Sequence, residues 1–223
     1  MLNKLSPTIA IIDSGIGGIS ILNKLIEKYK YGNYIYYADN LYMPYGAKSK
    51  SFIKNRLLEI IKELKEKYLV DIIIIACNTA SATLKNTKID NVIKLEFNDK
   101  EAVYLVTPLT QKILTKQRTI SSPTLASSIE LNINDKIKLK KIIKREVVKN
   151  KLNRLKKLVL GCTHYELVED LFKMYCNKTE VISNSDYILR NINYIPQSDK
   201  LSVYIINTKQ SMRYNQLIRS LIK

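Results

Sequence analysis

Two cysteines occupy matching positions in the chain, each directly after a short apolar run. The run from Asp71 to Ala76 precedes Cys77, and the run from Leu158 to Gly161 precedes Cys162. Short continuous apolar runs predict buried strands, and residues after such strands lie at the carboxyl end of a sheet, where open α/β sheets bind their ligands. Two thiols presented alike predict one site between two similar halves.

Two thiols on opposite sides of a carbon atom can invert its configuration by proton transfer. One thiolate removes the hydrogen, and the other thiol returns a proton from the opposite face. Because such a carbon acid is very weak, a substrate carboxylate must be held by donors as negative charge builds. Suitable donors are Ser14, Asn78, Thr79, Thr163 and neighbouring backbone N–H groups.

Charged neighbours are predicted to tune the two thiols. His164, the only histidine in the chain, lies two residues after Cys162. In an extended segment both side chains lie on one side, about 6–7 Å apart. A nearby cation raises the thiolate fraction of a cysteine. For Cys77, a helix beginning near Thr79 and capped by Thr79 or Asn78 would act likewise, whereas Asp13 would accept or relay the thiol proton.

More ordinary explanations exist for each residue. A buried free cysteine is often a small apolar filler, and Cys176, in an apolar helical stretch, is expected to be one. Asp13 and Asp39 could be ordinary caps. Cys162 and His164 could ligate zinc, but no third or fourth ligand follows at a useful spacing. The repetition of a polar, thiol-bearing strand end favours the catalytic interpretation.

A glycine-rich turn, Ser14 to Gly18, follows the first predicted strand and could bind an anion through its backbone N–H groups. Gly15-x-Gly17-x-x-Ser20 nearly matches the dinucleotide fingerprint, and Asp39 follows at about 20 residues. However, Ser20 replaces the third glycine, and Asp13 puts a carboxylate where pyrophosphate would lie. A nicotinamide or flavin cofactor is therefore disfavoured.

Strand-like runs alternate with amphipathic stretches along the chain, which predicts parallel sheets with helices on both faces. The loop from Asn40 to Gly46 could form a lid. No element is assigned to the mixed polar and apolar stretch that follows Thr107. Strands are predicted at 8–13, 34–39, 71–76, 102–107, 158–161 and 201–206, and helices at about 19–29, 49–68, 79–84, 136–157, 167–175, 186–193 and from 212.

Composition is that of a globular protein of a reducing compartment. Hydrophobic residues make up 46% and charged residues 26%, which are ordinary values. Three cysteines without metal-finger or disulfide spacing predict a cytoplasmic protein. The N-terminus lacks the apolar region of a signal peptide, and no apolar run approaches the roughly 20 residues that span a bilayer. No membrane partner is expected.

The net charge of +17 could indicate nucleic-acid binding. The lysines are nevertheless spread along the chain. The densest block, Lys136 to Lys157, carries Leu139, Ile143 and Val147 at helical spacing and is typical of a helix with a solvated lysine face. Because no nucleic-acid motif accompanies the charge, no nucleic-acid partner is expected.

Taken together, four segments resemble those of the glutamate racemase family, within the cofactor-independent aspartate/glutamate racemase superfamily. They are Asp13-Ser-Gly-Ile-Gly-Gly18, Pro44-Tyr-Gly46, Cys77-Asn-Thr-Ala80 and Gly161-Cys-Thr-His-Tyr165, in the family's order. The similarity spans nearly the whole chain. Aspartate racemases typically have Gly-Cys-Thr-Glu in the last segment, so His164 favours glutamate.

The resemblance implies an α/β fold of two pseudo-twofold-related parallel-sheet domains with the site in their cleft. The predicted domains are 1–96 plus 185–223, and a shortened second domain, 97–184. It also implies cofactor-independent, metal-free interconversion of L- and D-glutamate, supplying D-glutamate for peptidoglycan synthesis, with a homodimer as one option. Racemisation of another acidic amino acid such as aspartate, and a degenerate member acting as a binding protein, are the alternatives.

The resemblance further implies residue roles. Cys77 would deprotonate D-glutamate with the assistance of Asp13, and Cys162 would deprotonate L-glutamate with the assistance of His164. Asp39 and Glu130 match acidic positions implicated in the family. The chain departs from the pattern at Glu166, where proline is common, at Asn184, where an acid is common, and in a helix that is missing after Glu96. The family's substrate-contact positions carry Asp13, Ser14, Tyr45, Gly46, Asn78, Thr79, Thr163 and His164.

Overall fold

The computed structural model describes residues 7–192 and 200–223 of the 223-residue chain. In these residues the strands are β1 (Thr8–Asp13), β2 (Gly32–Ala38), β3 (Ile72–Ile75), β4 (Val92–Lys94), β5 (Val103–Val106), β6 (Arg118–Ser121), β7 (Lys157–Gly161), β8 (Glu180–Ser183) and β9 (Leu201–Asn207). The helices are α1 (Ile19–Tyr29), α2 (Lys50–Glu66), α3 (Asn78–Thr83), α4 (Pro108–Ile113), α5 (Leu125–Leu131), α6 (Lys136–Lys149), α7 (Thr163–Glu166), α8 (Glu169–Tyr175), α9 (Ser185–Asn191) and α10 (Met212–Leu221). Short 3-10 turns occur at Tyr45–Ala47 and Leu152–Arg154.

The described strands form two parallel sheets. The first has five strands in the order β4-β3-β1-β2-β9, and the second has four in the order β6-β5-β7-β8. Strand β3, which is followed by Cys77, pairs with β1, and strand β7, which is followed by Cys162, pairs with β5. In sequence order, β1 and β5 are the first strands of their sheets. Two parallel-sheet α/β domains confirm the predicted fold class.

The first sheet is buried on both faces, as its apolar strands require. Side chains alternate along β1, so that Ile9 and Ile11 pack on the α1 side whereas Ala10 and Ile12 pack on the α2 side. Strand β9 pairs with β2, with Leu201 beside Gly32, so the end of the chain returns to the first sheet. The predicted boundaries at residues 96 and 185 stay a prediction.

The second sheet has one face covered by its own helices and the other turned towards the first half. Leu105, Leu158 and Leu160 pack with α5, α6 and α8. On the other face, Tyr104 and Val159 pack with Ala82 of α3 and Phe97. Each such fully buried large side chain contributes about 1.5–3 kcal/mol of hydrophobic stabilisation. The contact surface between the two halves therefore includes Ala82, five residues after Cys77, and Val159, three residues before Cys162.

Several predicted elements need correction. The unassigned stretch after Thr107 forms α4, β6 and α5, and β8 was not predicted, because these elements are short and lack an apolar run. The lysine-rich helix ends at Lys149, not residue 157, since Lys151 adopts a left-handed conformation with φ of 52°. In the described chain no helix lies between β4 and β5, as predicted. Residues 1–6 and the predicted helix end at residue 193 lie outside the described residues. None of the helices in the described part of the chain is long and apolar enough to span a membrane.

Candidate active site

Cys77 and Cys162 have the same place in the two halves. Each lies just past the carboxyl end of its strand, each is the N-cap of the next helix, and each is only 6% exposed. Two local predictions were wrong. Helix α3 begins at Asn78, so Cys77 itself takes the capping position predicted for Thr79 or Asn78. Thr163–Glu166 is a helical turn, not an extended segment, and it brings Nδ1 of His164 to 4.0 Å from Sγ of Cys162.

The Cys162 loop meets the first half at the glycine-rich turn. The Thr163 hydroxyl, next to Cys162, donates to Oδ2 of Asp13 at 3.0 Å. A Cβ added at Gly17 would collide with Thr163, and one added at Gly15 would lie 2.7 Å from Oε2 of Glu130. These glycines therefore allow the close approach of the two halves, and anion binding by their backbone N–H groups stays a prediction.

The Cys77 thiol is buried close to the glycine-rich turn. Its sulfur is 3.8 Å from the Ser14 hydroxyl. Burial raises the pKa of Cys77 to about 12, and the Asp13 charge acts in the same direction, whereas the N–H of Ala80 and the Ser14 hydroxyl oppose the rise. The helix N-terminus and Asp13 therefore act on the Cys77 pKa in opposite directions, as predicted, and burial outweighs the contribution of the helix. The negative charge of Cys162 also raises the Cys77 pKa, which indicates that the sulfurs lie within electrostatic reach.

Asp13 is completely buried at the end of β1. Burial raises the pKa of its carboxyl, although the His164 charge and the hydrogen bonds from Gly15 N–H and Thr163 counteract part of this. The predicted role of Asp13 as a relay for the Cys77 proton stays a prediction.

The Cys162 side is built around His164. Its Nε2 lies 2.5 Å from Oε2 of Glu130, whose other oxygen accepts from the Tyr214 hydroxyl at 2.9 Å. Burial alone would lower the pKa of His164, but its hydrogen bonds to Cys162 and Glu130 prevail and raise the pKa well above its usual value. A protonated imidazole paired with the Glu130 carboxylate is therefore favoured next to the Cys162 sulfur.

Asp39 directly follows β2 and contacts the loop that carries Tyr45 and Gly46. Its carboxylate accepts from the Tyr45 hydroxyl at 2.6 Å and pairs with the Arg56 guanidinium at 2.9 Å. Gly46 lies against Thr107, where an added Cβ would approach to 2.9 Å. Asp39 therefore anchors this loop, and its charge is compensated by Arg56.

Asn78 and Thr79 face the second half of the molecule. Oδ1 of Asn78 accepts from Asn184 at 2.6 Å, whereas its buried Nδ2 has no hydrogen-bond partner among the described atoms. The Thr79 hydroxyl lies 3.0 Å from both the Thr107 and the Thr110 hydroxyls. An unpaired buried donor is costly unless it serves a ligand, so the Asn78 amide is suited to hold a substrate oxygen.

The structure thus brings the predicted residues to one region, with Tyr45 and Gly46 in a loop that Asp39 anchors. Sequence reasoning missed Arg56, Thr107, Thr110 and Tyr214. Only Thr107 carried a local signal, because a threonine followed by proline is typical of a helix start. In the part of the chain that the structure describes, no group of three or more His, Cys, Asp or Glu side chains could hold a metal ion.

Comparisons with known proteins identify the class. No protein-family model matches the chain. The glutamate racemase of Buchnera aphidicola subsp. Schizaphis graminum is 30% identical over 95% of this chain and 93% of its own length. That of Aquifex pyrophilus is 30% identical over 96% and 93%, respectively. The glutamate racemase structure from Thermus thermophilus superposes with a TM-score of 0.83 at 18% identity, covering 98% of this chain and 94% of that one.

A two-sheet parallel α/β fold with a cysteine at the matching strand end of each half defines an amino-acid racemase, an isomerase. The identity to the Buchnera relative extends over nearly the entire chain. The chain belongs to the glutamate racemase family.

Proposed function

We propose that this chain interconverts L- and D-glutamate by proton transfer at Cα, with Cys77 and Cys162 as the two bases and without a cofactor. The main support is the 3.0 Å hydrogen bond from Thr163 to Asp13, because it joins the Cys162 loop to the strand that lies beside the Cys77 strand. We further propose that the reaction takes place in the cytoplasm and supplies D-glutamate for peptidoglycan synthesis, and that the domains comprise residues 1–96 plus 185–223, and 97–184.

In the L-to-D direction, Cys162 acts as the base. Its thiolate, stabilised by the His164 cation, removes the Cα hydrogen of L-glutamate. The thiol of Cys77 is protonated at neutral pH because its pKa is about 12, and it gives this proton to the opposite face. The reaction leaves a thiol at Cys162 and a thiolate at Cys77, and proton exchange with solvent restores the starting state.

The D-to-L direction starts from the state that the L-to-D reaction leaves, with a thiolate at Cys77 and a thiol at Cys162. From the other starting state it is reached when Cys77 gives its proton to Asp13, a carboxyl whose pKa burial raises, and Cys162 takes a proton from solvent. The Cys77 thiolate removes the Cα hydrogen of D-glutamate, and the Cys162 thiol gives its proton to the opposite face. Donors that hold the carboxylate as negative charge develops lower the barrier in both directions. The proposed substrate contacts are Asp13, Ser14, Tyr45, Gly46, Asn78, Thr79, Thr163 and His164.

Single cysteine variants test the two-base mechanism. In deuterated water, Cys77→Ala and Cys162→Ala should each lose net racemisation by a factor of about 10⁴ or more, because one face of the carbon has no proton donor. Cys77→Ala should still exchange the α-hydrogen of L-glutamate, and Cys162→Ala that of D-glutamate, as followed by proton NMR. Cys176→Ala is the control, since Cys176 is buried beside Phe172 in the core of the second half. Racemisation at the parent rate in either single variant would overturn the mechanism.

Substrate choice is tested by circular dichroism of each enantiomer of glutamate and aspartate. Inversion of glutamate but not aspartate supports the proposal. Inversion of aspartate alone would assign the chain to the other acidic substrate. Binding of glutamate without inversion of either substrate would indicate a degenerate member that acts as a binding protein.

A further inference from the structure

The last helix of the chain sends one side chain towards the Cys162 site. Tyr214 lies in the first turn of α10, where its N–H is capped by the Ser211 hydroxyl at 3.3 Å. Helix α10 is held on the first half, since Asn207 of β9 donates to Asn215 at 2.7 Å and Ile218 is completely buried. The position of Tyr214 is therefore fixed by the first half of the molecule.

The partner of Tyr214 belongs to the second half. Its hydroxyl donates at 2.9 Å to Oε1 of Glu130, near the end of α5. The other oxygen of that carboxylate lies 2.5 Å from Nε2 of His164, whose Nδ1 lies 4.0 Å from Sγ of Cys162. Four side chains thus form a continuous line from the C-terminal helix to one of the two cysteines.

The Glu130 carboxylate has little freedom within this line. The Gly15 backbone lies against it, because a Cβ at Gly15 would be 2.7 Å from Oε2 and 3.2 Å from Nε2 of His164. A glutamate with only one oxygen engaged can still rotate about its terminal torsion, which is broad. The Tyr214 hydroxyl engages the second oxygen and removes that freedom.

On the basis of the proposed function, we propose that Tyr214 is a positioning residue for the Cys162 base: it fixes Glu130, which in turn fixes and charges His164. The hydrogen bond crosses from one half of the molecule to the other, so it also makes the Cys162 base dependent on how the halves approach. Cys77 has no equivalent line among the described side chains, where its sulfur faces Ser14.

The test uses Tyr214→Phe, which removes the hydroxyl and keeps the ring. We expect kcat to fall about tenfold with KM unchanged. Exchange of the α-hydrogen of L-glutamate in a Cys77→Ala background should fall by the same factor, and exchange of D-glutamate in a Cys162→Ala background should not change. Tyr29→Phe is the matched control, since the Tyr29 hydroxyl donates to the Ile192 carbonyl at 2.9 Å, at the far end of α1.

A double-mutant cycle with Glu130→Gln separates positioning from general loosening of the structure. If Tyr214 acts through Glu130, Tyr214→Phe should have no further effect in the Glu130→Gln background. Equal slowing of both exchange reactions, additive effects with Glu130→Gln, or parent-like kcat in Tyr214→Phe would each overturn the proposal.

A spectroscopic readout is independent of catalysis. Because His164 is the only histidine, its imidazole signals in NMR spectra need no assignment. Tyr214→Phe should shift the resonance of the Nε2-bound proton, whereas Tyr29→Phe should leave it in place. An unchanged resonance would refute the line of contacts. The cysteine variants could overturn the two-base mechanism while this shift is still observed. That result would support the contacts from Tyr214 through Glu130 to His164 and would contradict only their role in catalysis.

Discussion

In both halves the strand-end cysteine caps the next helix, but the residue two positions further on differs. After Cys77 it is Thr79, whose hydroxyl meets those of Thr107 and Thr110 at 3.0 Å. After Cys162 it is His164, which contacts the Glu130 carboxylate at 2.5 Å. The same backbone design is therefore followed by a ring of hydroxyls in one half, two residues after its cysteine, and by a histidine–carboxylate pair in the other.

This difference gives the two sulfur atoms unlike electrostatic surroundings. Burial dominates at Cys77, which keeps its proton at neutral pH, as its pKa of about 12 indicates. Next to Cys162, hydrogen bonds raise the pKa of His164 well above its usual value. The proposed mechanism needs one base and one acid at any moment, and unequal neighbours distinguish two identical side chains.

The largest expected effect comes from replacing Asp13 or His164, the residues proposed to assist Cys77 and Cys162. Asp13→Asn should slow α-hydrogen exchange of D-glutamate by about 10²–10⁴-fold and affect that of L-glutamate less, because in the proposed mechanism only Cys77 transfers its proton to Asp13. His164→Gln should show the reverse pattern. Deuterium uptake into each enantiomer measures both.

Rates of net racemisation cannot show whether Asp13→Asn or His164→Gln affects one direction of the reaction more than the other. The two enantiomers have equal free energy in water, so kcat/KM must be the same in both directions for every variant. One-sided exchange, measured with the complementary cysteine removed, is free of this constraint. Equal slowing of both enantiomers by Asp13→Asn would show that the two sides are not independently assisted.

A second contrast lies four residues after each cysteine. Ser81 is there in the first half, donating to the Ile75 carbonyl at 2.8 Å. In the second half it is Glu166, a buried carboxyl that accepts from the Ser185 hydroxyl at 2.5 Å and from Ser20 at 3.2 Å. Burial raises the pKa of Glu166 to about 7, although the nearby Lys24 charge lowers it in part.

This carboxyl should make the free energy of unfolding depend on pH. The folded pKa is raised above the ordinary value of 4.5, so the folded state holds the proton more tightly than the unfolded state. Stability from this group is full below about pH 4.5 and is lost as the pH rises towards 7, by about 3 kcal/mol. Glu166→Gln should remove this loss, as measured by urea unfolding at pH 5 and pH 8. Ser81→Ala should lower stability equally at both pH values, and the same result for Glu166→Gln would contradict the assignment.

Particular residues show how far the sequence leads. Strands β1, β3 and β7 were predictable because each is a continuous apolar run, and both cysteines were found from the polar residues at the ends of such runs. Helix α5 was not, because seven residues with two serines give no clear period. The contact of Tyr214 with Glu130 joins residues 84 positions apart and depends on the approach of α10 to α5. Similarly, no local pattern pairs Arg56 with Asp39.

The smallest expected effect concerns the hydroxyl ring on the Cys77 side. Thr110→Val keeps the shape of the side chain and removes one hydroxyl, which lies 2.9 Å from that of Thr107. Because Thr79 and Thr107 can still bond to each other at 3.0 Å, the free energy of unfolding should fall by only about 1 kcal/mol. Thermal unfolding measures this loss, and exchange of D-glutamate should stay within about twofold of the parent. If Thr110→Val slowed exchange as much as Asp13→Asn does, the three threonine hydroxyls would be as important for Cys77 as the His164–Glu130 pair is for Cys162. The two halves would then differ in the charge of these groups and not in their importance for exchange.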